Sequence, residues 1–178
     1  MISINDKFID IQKSLNKELI GQKSFINDLC NYFRDKLTKG EIGVLVLVGE
    51  KETAKKTSIR RIFEYLKDTD IIENSQVDEI DLGSYNFNLG YNAFLTDLYE
   101  KLGSNSACVM FKNIEKASSE ILHVLSSVYP NTCFNLNDEY IIKNKFLVRA
   151  DNQDNDKLNK IVCHNKFLVY ISNDEDFD

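Results

Sequence analysis

Paired cysteines, histidine clusters, an excess of basic charge and a long apolar run are all missing from this sequence, and each gap removes a class of function. The four cysteines, Cys30, Cys108, Cys133 and Cys163, are widely spaced and form no CxxC pair, and the only histidines are His123 and His164. A zinc site needs closely spaced ligand pairs, so the pattern speaks for reduced cysteines packed in an apolar interior. The net charge of -6 argues against a nucleic-acid surface, which needs concentrated lysine and arginine. No basic segment followed by an apolar one opens the chain, and no apolar run is long enough to span a bilayer. The expectation is a cytoplasmic protein with neither nucleic-acid nor membrane partners.

What is present is an ordinary globular composition, 43% hydrophobic and 28% charged over 178 residues, which suits one domain with a sizeable core. Phe8, Ile9, Ile11, Leu15 and Leu19 recur at roughly helical intervals, as do Phe25, Leu29, Phe33 and Leu37, with Gly40 placed to stop the second helix. "GVLVLVG" is a continuous apolar run suited to a central parallel strand. Helical patterns follow over "TAKKTSIRRIFEYLKD", "AFLTDLYEKL" and "SSEILHVLSSVY", and strand patterns over "VDEIDL" and "ACVMF". The last third is β-rich, and the pentapeptide "NKFLV" occurs in it twice, at Asn144–Val148 and Asn165–Val169. Two copies of five residues are too few for a repeat architecture. Strands alternating with helices imply an α/β layered fold with a largely parallel sheet, whose ligands bind beyond the carboxyl ends of the strands.

Two stretches fall at such ends. "VGEKETAKKTS" carries Gly49 and, six residues on, Lys55, the frame of a phosphate-binding loop G-x-x-x-x-G-K-[ST]. The second glycine is Ala54, the hydroxyl residue is Lys56, and Glu50 and Glu52 bring carboxylates to where a polyphosphate would lie. The other stretch is "SACVMFKNIEKASSEILHVL", an apolar strand running into Lys112 and Asn113.

This second stretch resembles the Walker B region of Clp-family AAA+ unfoldases, in which the strand ends in Asp-Glu before Ile-Glu-Lys-Ala. "LVLVGEKETAKKTSIRRIFEYL" is similar to that family's strand, P-loop and helix. "LNKELIGQ" resembles its motif beside the adenine, through Ile20, Gly21 and Gln22. "NKFLVYISN" resembles its sensor-1 strand, with Asn173 at the residue that reads the γ-phosphate. The resemblance covers roughly residues 15 to 173. It implies a three-layer αβα P-loop NTPase-like core with a mostly parallel central sheet. It also implies a single large subdomain over residues 1–178, with a helix and lead-in segment at 1–20, an acidic tail at 174–178 and no lid domain.

The departures decide what such a core is expected to do. Lys112 reverses the charge at the Mg²⁺-holding position, and Asn113 cannot accept a proton from water as a glutamate does. The implied function is a degenerate domain without ATPase activity, acting as a regulatory or structural protein-interaction module. Its implied partners are copies of itself or an intact AAA+ relative, and no cofactor is expected. The alternative is an ATP-binding unfoldase fragment that holds ATP weakly and without Mg²⁺. On the first view the vestigial nucleotide residues are Ile20, Gly21, Gln22, Gly49, Lys55, Lys56 and Asn173. Lys55, Lys56 and Lys112 either converge on phosphates or pair with Glu50 and Glu52 to close an empty site. Tyr91, in a shortened loop, is a candidate substrate-gripping aromatic.

Overall fold

A computed structural model describes residues 3–50, 54–88, 90–128 and 133–173. Helix α1 (Ile4–Glu18) begins where the Ser3 hydroxyl accepts a hydrogen bond from the Asp6 amide, and it buries Phe8, Ile11 and Leu15 on one stripe. Helix α2 (Lys23–Thr38) buries Ile26, Leu29, Cys30 and Phe33. It ends at Gly40, whose φ of 67° is the left-handed stop that glycine accepts without strain. Strand β1 (Val44–Leu47) leads through the Gly49 loop into α3 (Lys55–Asp68).

The chain continues through β2 (Val77–Asp81), a 3₁₀ turn (Leu82–Tyr85), α4 (Gly90–Gly103), β3 (Cys108–Lys112) and α5 (Ser119–Ser126). Strands β4 (Cys133–Lys143), β5 (Phe146–Arg149) and β6 (Leu158–Val162) then form an antiparallel sheet before β7 (Phe167–Ile171) closes the chain's main sheet. That main sheet is four-stranded and all parallel, in the order β1-β7-β3-β2.

Both faces of the parallel sheet are covered, and side-chain alternation shows how. Cys108 and Met110 of β3, with Phe167, Val169 and Ile171 of β7, pack against α1, α2 and α3. Val109, Phe111, Leu168 and Tyr170 point the other way, into a cluster with α4, α5 and the antiparallel sheet. Strands buried on both faces read as continuous apolar runs, which is why "ACVMF" and "FLVYI" look as they do.

One expectation needs correction. The "GVLVLVG" run suggests a central strand, but β1 pairs with β7 alone and lies at the sheet's edge among the described residues. Val46 is accordingly 53% exposed. The apolar run reflects β1's packing beneath the helices through Leu45 and Leu47, not a neighbour on each side.

The two "NKFLV" copies take different structures. Asn144 and Lys145, with φ of 52° and 70°, are the two turn residues of the β4–β5 hairpin, and Phe146–Val148 lie in β5. The second copy supplies β7, in the middle of the parallel sheet. The four cysteines are unpaired, with Cys30, Cys108 and Cys163 buried and Cys133 partly so. Among the described residues, no helix is long and apolar enough to cross a membrane.

Candidate functional site

The carboxyl ends of the four parallel strands converge on one edge of the sheet, the position from which open α/β sheets present ligand-binding residues. Because β7 lies between β1 and β3, Asn173 is flanked by the Gly49 loop on one side and Asn113 on the other. The Ser172 amide donates to the Leu47 carbonyl at 2.9 Å, extending the parallel pairing to the end of β1.

The start of α3 is left-handed at one position. Ala54, standing where the motif has its second glycine, has φ 58° and ψ 11°, a left-handed conformation that costs an L-residue about 1–2 kcal/mol. No side chain caps α3 at Ala54, so the first amides of that helix lack the usual side-chain acceptor. Ala54→Gly is therefore expected to stabilise the folded protein by roughly 0.5–1 kcal/mol, the relief of strain less glycine's entropy in the unfolded chain. A urea melt checks this, and a loss of stability would show that position 54 is not left-handed.

Lys55 does not reach outward. It is only 6% exposed, and its Nζ donates to the carbonyl oxygens of Gly49 at 2.6 Å and Glu50 at 2.5 Å. A cation at this helix start is thus held by the loop's own backbone. Lys56 and Thr57 are exposed, and Ser58 is buried with its hydroxyl unpartnered. Glu52 lies outside the described residues.

At the end of β3, Lys112 turns to β2, where its Nζ pairs with Glu79 at 2.8 Å; Glu79 is also bonded by Arg60 at 2.5 Å. Of the two arrangements open for Lys55, Lys56 and Lys112, convergence on one point is not what the described contacts give. The first is tied to its loop, the second faces solvent and the third is paired across the sheet.

Burial works against the charged form of Glu79, but hydrogen bonds from Lys112 and Arg60 outweigh it and hold the carboxyl below its ordinary value. A depressed carboxylate stabilises the fold above its unfolded value and loses that contribution as pH falls through the folded one. Glu79→Gln is therefore expected to lower the melting temperature at neutral pH, by an amount equivalent to about 1 kcal/mol or less. The difference should shrink as the pH is taken from about 4.5 downward. Melting curves of both proteins across that range test it, and a gap that stays constant with pH would contradict the pairing.

Asn113 has φ 56° and its side chain joins two groups. Its Nδ2 donates to Asp81 Oδ1 at 2.7 Å, while its Oδ1 accepts from Asn173 Nδ2 at 2.9 Å. The Asn173 backbone N–H donates to Glu115 Oε2 at 3.2 Å. An amide at 113 serves both directions of this relay; a carboxylate there has no proton to give Asp81. Asp81 and Glu115 were not singled out from the sequence. The available signal for Asp81 was its place as the last residue of a strand beside "ACVMF".

Ile20 is 88% exposed in the turn between α1 and α2, Gly21 follows with φ 84°, and Gln22 starts α2 without a side-chain cap. Tyr91 is not a loop-tip aromatic. It sits in the first turn of α4, packed against the core with its ring 6.5 Å from that of Phe94 and its hydroxyl buried. The exposed aromatic of this stretch is Phe87, at 61%. Among the described residues no cluster of three metal-ligating side chains is present. No protein-family profile and no curated protein matches the chain.

Proposed function

We propose that this chain is a degenerate P-loop domain of the AAA+ type, a three-layer αβα core that does not hydrolyse ATP and acts through protein contacts. The observation that carries this is Lys55, whose charged end is occupied by the Gly49 and Glu50 carbonyls instead of facing an open cradle. A phosphate would have to compete with two short charge-assisted bonds already made. The strand order supports the reading as well. It brings the phosphate-loop frame, Asn173 and the Lys112–Asn113 pair to the ends of three adjacent parallel strands. At the ends of those strands, the catalytic and Mg²⁺-holding carboxylates are replaced by an amide and an ion-paired ammonium.

A second reading, weak ATP binding without Mg²⁺, is favoured by the left-handed Ala54 and the uncapped start of α3, which preserve part of an anion nest. Calorimetric titration with ATP, with and without Mg²⁺, separates the two. The proposal expects no saturable heat in either condition and no turnover above background. Saturable binding without Mg²⁺ selects the second reading, and Mg²⁺-dependent turnover sinks both.

A further inference from the structure

Helices that connect parallel strands run back against them, so their C-terminal ends gather at the amino edge of the sheet. The last carbonyls of those helices give that edge partial negative charge. Here the amino edge holds a cavity of about 330 Å³ beside the paired starts of β3 and β7. Leu37 reaches it from the last turn of α2, Glu73 and Asn74 from the segment after α3, and Asn105 and Ala107 from the segment after α4.

The floor of this hollow is apolar and fixed. Phe63 and Phe167 are buried with their rings edge-on at 5.9 Å, and the partly buried Leu37, Ile42 and Ile72 surround them. The rim is fixed too. The Asn74 side chain donates to the Asn105 carbonyl and accepts from the Gln76 backbone N–H at 2.8 Å. A preformed apolar hollow with a few polar groups is the usual form of a small-molecule site.

The charges point to a cation. Glu73 is the one charged side chain lining the hollow among the described residues, and none of them forms an ion pair with it. The same edge already holds two ammonium groups on backbone carbonyls. Lys166, buried against Ser106, donates to the carbonyls of Ser104 and, at 2.7 Å, Ser106, and Lys7 donates to that of Thr69, at the end of α3. Lys166 is further offset by Asp78, to which the Ser104 hydroxyl donates at 2.7 Å. Lys36 and Glu41, next in sequence to Leu37 and Ile42, pair with each other at 3.1 Å. Glu73 is left as the unmatched charge of the hollow. An aromatic ring would continue the edge-on packing that Phe33 makes with Phe63 and Phe167.

We propose that this hollow binds a small arylalkyl amine, its ring in the apolar floor and its ammonium paired with Glu73. A partner's lysine side chain carries the same ammonium but no ring to fill the floor. The site lies at the edge of the sheet opposite the Gly49–Lys55 loop and does not depend on the reading of that loop.

The test is an amide-resolved NMR titration of the full chain with phenethylamine at neutral pH, where the amine is protonated. Saturable shifts are expected at Ile72–Asn74, Asn105–Ala107 and Asn165–Phe167. Hydrocinnamate, similar in shape and opposite in charge, should bind about tenfold more weakly or worse, and so should butylamine, which lacks the ring. Glu73→Gln should weaken phenethylamine binding by about three- to fivefold, the range of an exposed ion pair. Glu73 is on the surface, and unchanged resonances elsewhere show that the variant is folded. Absence of saturable shifts, shifts that map to another surface, equal binding of either control, or unchanged affinity in Glu73→Gln would overturn the proposal.

Discussion

Phe167→Ala is expected to destabilise the protein by about 3–5 kcal/mol, while Phe146→Ala, in an identical five-residue context, changes stability by about 0.5 kcal/mol or less. The second-copy phenylalanine is 4% exposed, and its ring lies 5.0 Å from that of Phe33 and 5.9 Å from that of Phe63, in edge-on geometry. Removing it deletes the contact that joins β7 to α2 and α3 and leaves a cavity that close-packed neighbours cannot fill. The first-copy phenylalanine is 61% exposed beside a hairpin turn, so its loss returns little surface to water. Domains of this size are stable by only about 5–15 kcal/mol, so the first change threatens folding at ordinary temperature. Urea unfolding of the two variants measures the contrast through the midpoint at constant slope. Equal losses would mean that the two copies occupy equivalent environments.

Lys55→Ala is expected to cost about 2–3 kcal/mol in the absence of any nucleotide, because two part-buried charge-assisted hydrogen bonds to loop carbonyls vanish together. The melting temperature should fall, and on the proposed reading the response to added ATP should not change. A lysine kept for phosphate binding predicts the opposite pair of results. Its removal would leave the ligand-free protein nearly as stable and abolish an ATP-induced rise in melting temperature, which for a true ligand reaches about 2.7 kcal/mol at a hundredfold excess over Kd. Lys55→Met, which keeps the apolar stem, separates packing from charge. If the methionine variant melts with the unaltered protein, the carbonyl contacts contribute nothing and the self-occupied loop is not what holds this segment.

Much of the local structure was legible from residue spacing. The Phe8–Ile11–Leu15 stripe, the Gly40 stop and the strand–loop–helix around Gly49 and Lys55 follow from periods of 3.6 and 2 and from glycine's backbone freedom, all properties of neighbouring residues. The alternation of strands and helices likewise determined an α/β fold with parallel pairing. The position of β1 at the edge of the sheet was not legible, because an apolar run records burial under helices and not the number of neighbours on each side. Nor was the split of "NKFLV" between a hairpin and a central strand, since five residues with one local preference are sorted by whatever surface the remainder of the chain offers. The site divides in the same way. Spacing along the chain placed Gly49, Lys55, Lys112 and Asn113 at strand ends and the family resemblance added Asn173, but the partners of Lys112, Asn113 and Asn173 come from elements far apart in sequence. That Lys112 meets Glu79, that Asn113 links Asp81 to Asn173, and that Lys55 turns back on its own loop are outcomes of strand register and side-chain direction. Only the tertiary structure decides them, because charge pairing and hydrogen bonding act across space at a few ångströms, and the sequence specifies those separations only through the whole fold.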